Sequence, residues 1–123
     1  FANLTVSGTL SVNLVPLMNT TGTAPLYACR AWAAFNGSST VVVNASGNIA
    51  GIVRVNTGVY TITFTTAMPH ANYAVVGSFG GSSNDEGMAV VPYNRTTTSV
   101  SFRSKSYGVN PSDFTMISVG VFC

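Results

Sequence analysis

The feature that most limits the fold of this chain is a two-residue alternation of apolar and polar side chains. Its clearest example is the segment 59–66, where Tyr60, Ile62 and Phe64 alternate with three threonines. Successive side chains of a β-strand point to opposite faces of a sheet, so this pattern predicts a half-buried strand with its three large residues facing inward. Because no window has the 3.6-residue period of an amphipathic helix, we predict an all-β fold.

Turn-forming residues divide the chain into seven or eight short strands of this kind. The predicted strands lie at 28–37, 40–44, 49–55, 59–66, 73–79, 88–93, 97–103 and 114–122. Short strands at this spacing are typical of an antiparallel sandwich or barrel. Of the two, we predict an antiparallel β-sandwich with a jelly-roll-like arrangement.

Local signals also predict how some strands connect. The segment 44–48 is rich in Asn, Ser and Gly and is expected to be a turn. The strands at 59–66 and 73–79 are expected to form a hairpin through a loop of about five residues at 68–72. Proline cannot donate a hydrogen bond to a neighbouring strand, so Pro92 places its strand at a sheet edge or a strand end.

The first 25 residues differ from the rest of the chain because they contain no charged side chain. Two leucine–valine pairs flank Gly8 symmetrically, which predicts a short hairpin or one unit of a repetitive β-shaft. A two-stranded unit is not stable alone in water and must pack on the following domain or on other copies. We therefore predict a shaft and linker segment at 1–25 and a β-sandwich domain at 26–123.

The segment 28–37 is apolar on both faces and contains the only tryptophan of the chain. This pattern predicts a central strand that is covered on each side, by another sheet or by another chain. Trp32 is expected in the core or between chains, with Arg30 bonded to backbone carbonyls; a cation–π contact between the two is the alternative. The residues predicted to form the structural core are Trp32, Phe35, Tyr60, Ile62, Phe64 and Tyr73.

Composition excludes several classes of function. Charged residues make up 7% of the chain, against about 25% in ordinary soluble proteins, and the net charge of +2 includes no basic run. This argues against nucleic-acid binding, and no apolar run reaches the roughly 18 residues of a membrane span. An apolar content of 46% with so few charges predicts that some surface is buried between subunits. The chain begins at Phe1, so we expect it to be part of a longer protein.

The two cysteines, Cys29 and Cys123, are too few for a disulfide framework or a metal cluster. We expect Cys29 to be buried and reduced and Cys123 to be a free thiol near the end of the chain. Pairing of the two would require the last strand to lie beside the central one with suitable Cβ geometry.

The residues needed for catalysis are scarce. The sole histidine, His70, lies in a proline-containing turn, and the chain has no nucleophile elbow, phosphate-binding loop or pair of histidines at metal spacing. Glycoside hydrolysis needs two facing carboxyl groups, which requires Asp113 to meet Asp85 or Glu86 through converging loops. We therefore expect no catalytic residues, no metal and no cofactor, and a polysaccharide depolymerase is kept only as the less favoured alternative.

Two long polar loops, at 80–87 and 104–113, are the best candidates for ligand binding. Sugar-binding sites combine aromatic faces with amide, guanidinium and carboxylate groups, and scaffolds usually display them on loops. The candidate ligand-binding residues are Tyr93, Arg95, Arg103, Lys105, Tyr107, Asn110 and Asp113. The alternative is that any loop of a chain this rich in Asn and Ser contains such residues.

Three motifs resemble a known family. A Cys-Arg-Ala-Trp-x-x-Phe-x-Gly strand lies at 29–37, a Gly-x-Tyr-x-Ile-x-Phe strand at 58–64 and a Met-Pro-x-Ala-Asn-Tyr turn at 68–73. In this order they resemble the carboxy-terminal module of bacteriophage tail fibres and related virion structural proteins. The opening segment 3–10 is similar to the shaft repeats that precede such modules.

The resemblance implies a viral protein that forms a homotrimeric, distal knob on the virion and contacts the host cell surface. It implies assembly in the host cytoplasm with other virion proteins as partners, and a receptor that we expect to be a host surface polysaccharide. It does not carry over a set of binding residues, because the shared motifs are framework. The main alternative is a purely structural head-fibre, capsid-decoration or trimer-capping domain that binds no receptor.

Overall fold

The computed structural model describes residues 7–8, 27–81, 89–105 and 110–123. The strands, in chain order, are β1 (Cys29–Asn36), β2 (Val42–Gly47), β3 (Ile49–Asn56), β4 (Val59–Phe64), β5 (Ala74–Gly80), β6 (Ala89–Tyr93), β7 (Ser99–Lys105) and β8 (Met116–Phe122). These ranges contain no helix, and hence none that is long and apolar enough to cross a membrane. The all-β prediction is confirmed; the predicted shaft segment at 1–25 lies outside the described residues apart from 7–8.

The strands form two four-stranded antiparallel sheets that pack face to face. Sheet 1 has the order β2-β1-β8-β5, and sheet 2 has the order β3-β4-β7-β6. The two sheets make a β-sandwich, as predicted. Strand β1 is central in its sheet. Strand β6, which contains Pro92, lies at a sheet edge, where proline is tolerated because no further strand needs its missing N–H as a donor.

The predicted hairpin between β4 and β5 is wrong. Strand β4 pairs with β3 and β7 in sheet 2, whereas β5 pairs with β8 in sheet 1, so residues 65–73 cross from one sheet to the other. The crossing is held in place by the buried side chains of Met68 and Tyr73 and by hydrogen bonds to the segment before β7 and to the first residue of β7. The Met68 amide donates to the Thr97 carbonyl oxygen at 2.7 Å, and the Tyr73 hydroxyl donates to the Ser99 carbonyl oxygen at 2.8 Å.

The turn predicted at 44–48 is shorter than expected. Strand β2 continues to Gly47, and the corner between the two sheets is Asn48 alone, with a φ of 56°. Asparagine tolerates this left-handed conformation better than most residues. Its side-chain Nδ2 donates to the Arg30 and Thr66 carbonyl oxygens at 3.0 and 3.1 Å, and its Oδ1 accepts from the Thr66 amide at 2.7 Å. One residue therefore closes the corner and ties both sheets together.

Aromatic rings fill the space between the sheets. The rings of Phe35, Tyr60 and Phe102 pack with centroids 5.4 to 6.3 Å apart. Five of the six predicted core residues are buried there, namely Phe35, Tyr60, Ile62, Phe64 and Tyr73. Trp32 is not in the core: its side chain is 45% exposed, because the alternation of β1 turns Ala31, Ala33 and Phe35 inward and Trp32 outward.

Cys29 is exposed, so the prediction that it is buried is wrong. The register of β1 against β8 shifts between Cys29 and Ala31, which places the thiol at the irregular start of the strand rather than over the core. The last strand does lie beside the central one, with Cys29 opposite Phe122. Both Cys29 and Cys123 are nevertheless free thiols.

Candidate functional site

The residues predicted to bind a ligand are divided among several places in the fold. Asp113 belongs to a hydrogen-bond network at the end of the sandwich near the β3–β4 turn. Tyr93, Arg103 and Lys105 lie on β6 and β7, on the outer face of sheet 2. Tyr107 lies outside the described residues. The two remaining candidates, Arg95 and Asn110, lie in connecting segments.

Asp113 accepts hydrogen bonds from three residues. Its Oδ1 accepts from the Gly58 amide at 2.7 Å and from the Tyr60 hydroxyl at 2.8 Å. Arg54 approaches both carboxylate oxygens, with Nε 3.0 Å from each of them and Nη2 2.7 Å from Oδ2. Because both of its carboxylate oxygens accept hydrogen bonds within the protein, Asp113 has a structural role, and nothing in this geometry supports its predicted role in ligand binding.

The network fixes the charge states of its members. The Arg54 guanidinium, with help from the Gly58 amide and the Tyr60 hydroxyl, lowers the pKa of Asp113 against the opposing effect of burial. The hydrogen bond to Asp113 raises the pKa of Arg54. Burial, followed by the hydrogen bond to Asp113, raises the pKa of Tyr60. At neutral pH the network is therefore an ion pair with a neutral tyrosine.

The same network attaches the segment before β8 to the β3–β4 turn. Gly58 has a φ of +61°, and a Cβ atom at this position would clash with the backbone of Ser112. The buried Ser104 amide donates to the Gly58 carbonyl oxygen at 2.9 Å, and the Ser112 amide donates to the Ser104 carbonyl oxygen at 3.0 Å. The arrangement holds the backbone in place, and both Asp113 carboxylate oxygens accept hydrogen bonds within it.

Half-buried Tyr93 and exposed Arg103 form an aromatic–cation pair on the outer face of sheet 2. The Cζ atom of Arg103 lies 4.3 Å from the centroid of the Tyr93 ring. In the β6–β7 register Tyr93 lies opposite Ser101 and Val91 lies opposite Arg103, so the two side chains are diagonal neighbours on one face. Lys105 lies two residues beyond Arg103 and shares that face.

Hydroxyl groups cover the middle of this outer face. Val53, Thr61, Ser101 and Tyr93 form a row across the four strands of sheet 2. The Thr61 and Ser101 side-chain oxygens lie 2.8 Å apart and share a hydrogen bond. The outer face of sheet 2 therefore combines a hydroxyl row and two cationic side chains on β7 with exposed apolar surface at Val53 and Val91.

Arg95 and Asn110 are positioned by other contacts. The Arg95 Nη1 donates to the Tyr73 carbonyl oxygen at 3.3 Å, next to the turn that joins β6 to β7. Asn110 is exposed, and its carbonyl oxygen accepts from the Ser112 hydroxyl at 3.3 Å. Of the predicted residues that the structure describes, it therefore brings together only Tyr93, Arg103 and Lys105.

The outer face of sheet 1 has a different chemistry. Gly47, Trp32, Gly120 and Val76 form one row across its strands, and a parallel row consists of alanine and serine. A Cβ atom on Gly47 would clash with the Trp32 indole, so the ring lies across this glycine. The small residues leave a shallow trough of about 390 Å³ between Trp32 and Val76. Neither row contains a charged side chain.

Val76 and Met116 are exposed on this face, at 55% and 63% of their surface. Sequence reasoning did not single them out, because their strands look like ordinary apolar strands in isolation. Only the register, which places Val76 opposite Gly120, shows that they lie on the same face as Trp32.

Arg30 lies beside this face at the start of β1. Its Nε donates to the main-chain oxygen of Cys123 at 3.3 Å, in agreement with the expectation that it bonds to backbone. The side chain is thereby attached to the end of β8, the strand that pairs with β1.

No metal centre is found in the part of the chain that the structure describes. Within residues 27–81, 89–105 and 110–123, no three side chains of His, Cys, Asp or Glu gather closely enough to hold an ion. His70 is exposed in the crossing between β4 and β5. Its position agrees with the expected turn residue, although the turn joins two sheets rather than two strands of a hairpin.

Comparisons with known proteins are negative at three levels. No protein-family model matches the chain, and searches of curated proteins and of solved structures find no significant match. Two observations therefore remain from which a function can be proposed. They are the chemistry of the two outer faces and the sequence motifs at 29–37, 58–64 and 68–73.

Proposed function

We propose that this chain is the carboxy-terminal knob of a bacteriophage tail or head fibre, which trimerises and adheres to polysaccharide on the host surface without catalysing a reaction. The motifs at 29–37, 58–64 and 68–73 support this proposal through their resemblance to such modules. The observation that carries it is the contrast between the outer faces. The central rows of sheet 1 are apolar or small and uncharged, with Arg30 only at the start of β1, whereas sheet 2 presents a hydroxyl row and two cationic side chains. One face suits contact with sister chains, and the other suits contact with a sugar.

The outer face of sheet 1 is the surface proposed to bind sister copies. Trp32, Val76 and Met116 expose apolar surface there, and burying such surface stabilises an interface by roughly 25 cal/mol per Å². The glycine, alanine and serine residues between them allow another backbone to approach closely. Closed symmetry is the rule for homo-oligomers, and the resemblance favours three copies.

The outer face of sheet 2 then remains available to the host surface. In a homotrimer each chain presents the same face, so weak contacts to one polymer are multiplied by avidity. This arrangement fits adhesion to a repetitive polysaccharide better than tight binding of a single small molecule. In the assembled virion the chain would lie at the distal end of a fibre built with other virion proteins.

Counting chains by multi-angle light scattering tests the proposed assembly. The wild-type chain is expected to be a trimer, and Trp32→Asp is expected to be a monomer, because an aspartate without a partner in an apolar interface is strongly destabilising. Val53→Asp is the matched control, since Val53 is 62% exposed on the outer face of sheet 2. This control should remain trimeric. A monomeric wild type, or an equal effect of the two variants, contradicts the assignment of the faces.

Binding of labelled wild-type chain to a glycan array and to intact bacteria tests the adhesive role. The expected result is binding to polysaccharide without release of reducing sugar. A trimer that binds no glycan and no cell would favour the structural cap, and release of reducing sugar would favour the depolymerase. Either result contradicts the proposal.

A further inference from the structure

The contact between Arg103 and Tyr93 limits what this pair can bind. The guanidinium lies over the Tyr93 ring, so that ring face does not stack on the C–H surface of a sugar, which is the role expected for a tyrosine in a saccharide site. Instead, the ring supports the guanidinium. A stacked guanidinium keeps N–H donors at the edge of its plane, where they match the two oxygens of a carboxylate.

The described charges on this face are all positive. Arg103 and Lys105 lie two residues apart on one face of β7, which separates their Cα atoms by roughly 7 Å. Asp113 is the one side-chain carboxylate among the described residues, and its oxygens are bound to Arg54 and its neighbours. Asp85 and Glu86 belong to the segment 82–88, outside the described ranges. No described side-chain carboxylate therefore neutralises Arg103 or Lys105.

From this geometry we infer that Arg103, supported by Tyr93 and accompanied by Lys105, binds the carboxylate groups of an acidic polysaccharide. The inference rests on the proposed adhesive function and names its ligand class: a polymer of uronic-acid-type sugars. Arg103 is the primary contact because its planar guanidinium is positioned by the Tyr93 ring, 4.3 Å from the ring centroid. Lys105 adds a second, more flexible cation, which can contact another carboxylate group on the same polymer.

The hydroxyl row beside the pair favours a glycan over a free anion. Thr61 and Ser101 place two side-chain oxygens next to Tyr93 on the same face, where they can exchange hydrogen bonds with sugar hydroxyls. The face is open, so a long chain can lie across the strands without entering a pocket. A polymer thus contacts the cations and the hydroxyls at once, whereas a small anion contacts only the cations.

The test compares one polymer in two charge states. Binding of the wild-type chain to polygalacturonate and to its methyl ester is measured by isothermal titration calorimetry at low and high salt. The sugar backbone is the same in both, but the ester has no carboxylate. We expect binding of polygalacturonate that weakens as salt rises, and at least about tenfold weaker binding of the ester.

Variants assign the effect to the pair. Arg103→Ala is expected to weaken polygalacturonate binding about 10- to 100-fold, because a charge-assisted bidentate contact is lost. Arg103→Lys keeps the charge but loses the planar fork, and it should fall between wild type and Arg103→Ala. Arg30→Ala, on sheet 1, removes the same charge and should bind like wild type. As controls, light scattering of each variant would detect a change in assembly, and circular dichroism would detect a change in folding.

Several outcomes would overturn the inference. Equal loss in Arg30→Ala and Arg103→Ala would show a general charge effect, and equal affinity for the methyl ester would show that carboxylates are not recognised. Polyphosphate that binds as tightly as polygalacturonate would show that the site selects charge and not sugar. Binding to neutral glycans that is insensitive to Arg103→Ala would overturn the inference and leave the adhesive function standing. Absence of binding to every glycan and cell would overturn both.

Discussion

Two of the tyrosine–arginine pairs among the described residues are built in opposite ways. Tyr60 and Arg54 are joined by the Asp113 carboxylate, which accepts from both of them at the end of the sandwich. Tyr93 and Arg103 contact each other directly on the outer face of sheet 2, with the guanidinium 4.3 Å from the ring centroid. The first pair has its acceptor inside the protein, and the second presents its donors to solvent.

The contrast shows that residue type does not determine the role of a side chain. Arg54 and Tyr60 are register partners in the β3–β4 hairpin. Asp113 lies 59 and 53 residues from them in the chain, so it joins them only because the fold brings the segment before β8 to that hairpin. The second pair consists of diagonal neighbours in one hairpin. A network built from distant segments holds the fold together, whereas a local pair on an open face is available to a partner.

The substitution expected to disrupt the first pair most strongly is Asp113→Asn. The substitution removes the charge that holds Arg54 and weakens the bonds from Gly58 and Tyr60, so we expect a loss of about 2–3 kcal/mol in the free energy of unfolding. Urea denaturation followed by tryptophan fluorescence or circular dichroism measures it. A loss below about 0.5 kcal/mol would show that the network does not stabilise the fold.

Tyr60→Phe breaks one bond of the network and should have a smaller effect. The Asp113 carboxylate and the Gly37 carbonyl oxygen, 2.8 and 3.0 Å from the hydroxyl, share its single proton and lose this donor, while the ring stays in the core. We expect a loss of about 1–2 kcal/mol in urea denaturation. Tyr93→Phe is the matched control, because its hydroxyl belongs to the exposed pair, and its stability should equal that of wild type. Equal losses in the two variants would contradict the comparison.

The pH dependence of stability should follow the first pair. The folded-state pKa of Asp113 is lowered, so its contribution is fully present above the unfolded pKa of about 3.9 and is lost as pH falls toward the folded value. Unfolding free energies of wild type and Asp113→Asn should therefore converge as pH is lowered from 7 to about 3. A constant difference over this range would show that the carboxylate charge does not matter.

The second pair should contribute least to stability. Contacts of this kind at exposed sites are worth about 0.5–1 kcal/mol, and substitutions on open surfaces usually change stability by less than about 0.5 kcal/mol. Arg103→Ala should therefore unfold within about 1 kcal/mol of wild type while it loses binding to polygalacturonate. A larger loss of stability would show that Arg103 is structural, like Arg54.

Strand identity was predictable because it depends on local alternation. The inward positions of Tyr60, Ile62 and Phe64 and the edge position of Pro92 all follow from rules that act within a few residues. Which strands pair was not predictable in the same way. The segment 65–73 has the composition of a hairpin loop, yet it crosses between the sheets, because both edges of β4 are occupied by β3 and β7.

The candidate site was predictable only in part. Tyr93, Arg103 and Lys105 lie on a hairpin, so their closeness follows from strand pairing over a short distance in the chain. Asp113 has the same polar character in the sequence, but its carboxylate oxygens accept hydrogen bonds from residues that are distant in the chain. Sequence reasoning singled out Asp113 and treated Arg54 as an ordinary strand residue, because no local signal links the two.

By itself, the sequence determined that the chain forms short, half-buried β-strands with an aromatic core and few charges, because side-chain alternation acts at a range of two residues. The tertiary structure decided which strands pair, that Trp32 faces outward and that Asp113 is held inside while Arg103 is displayed. These outcomes depend on contacts between segments that are far apart in the chain. The free energy of such a contact depends on both segments together, so it cannot be predicted from the sequence of either segment alone.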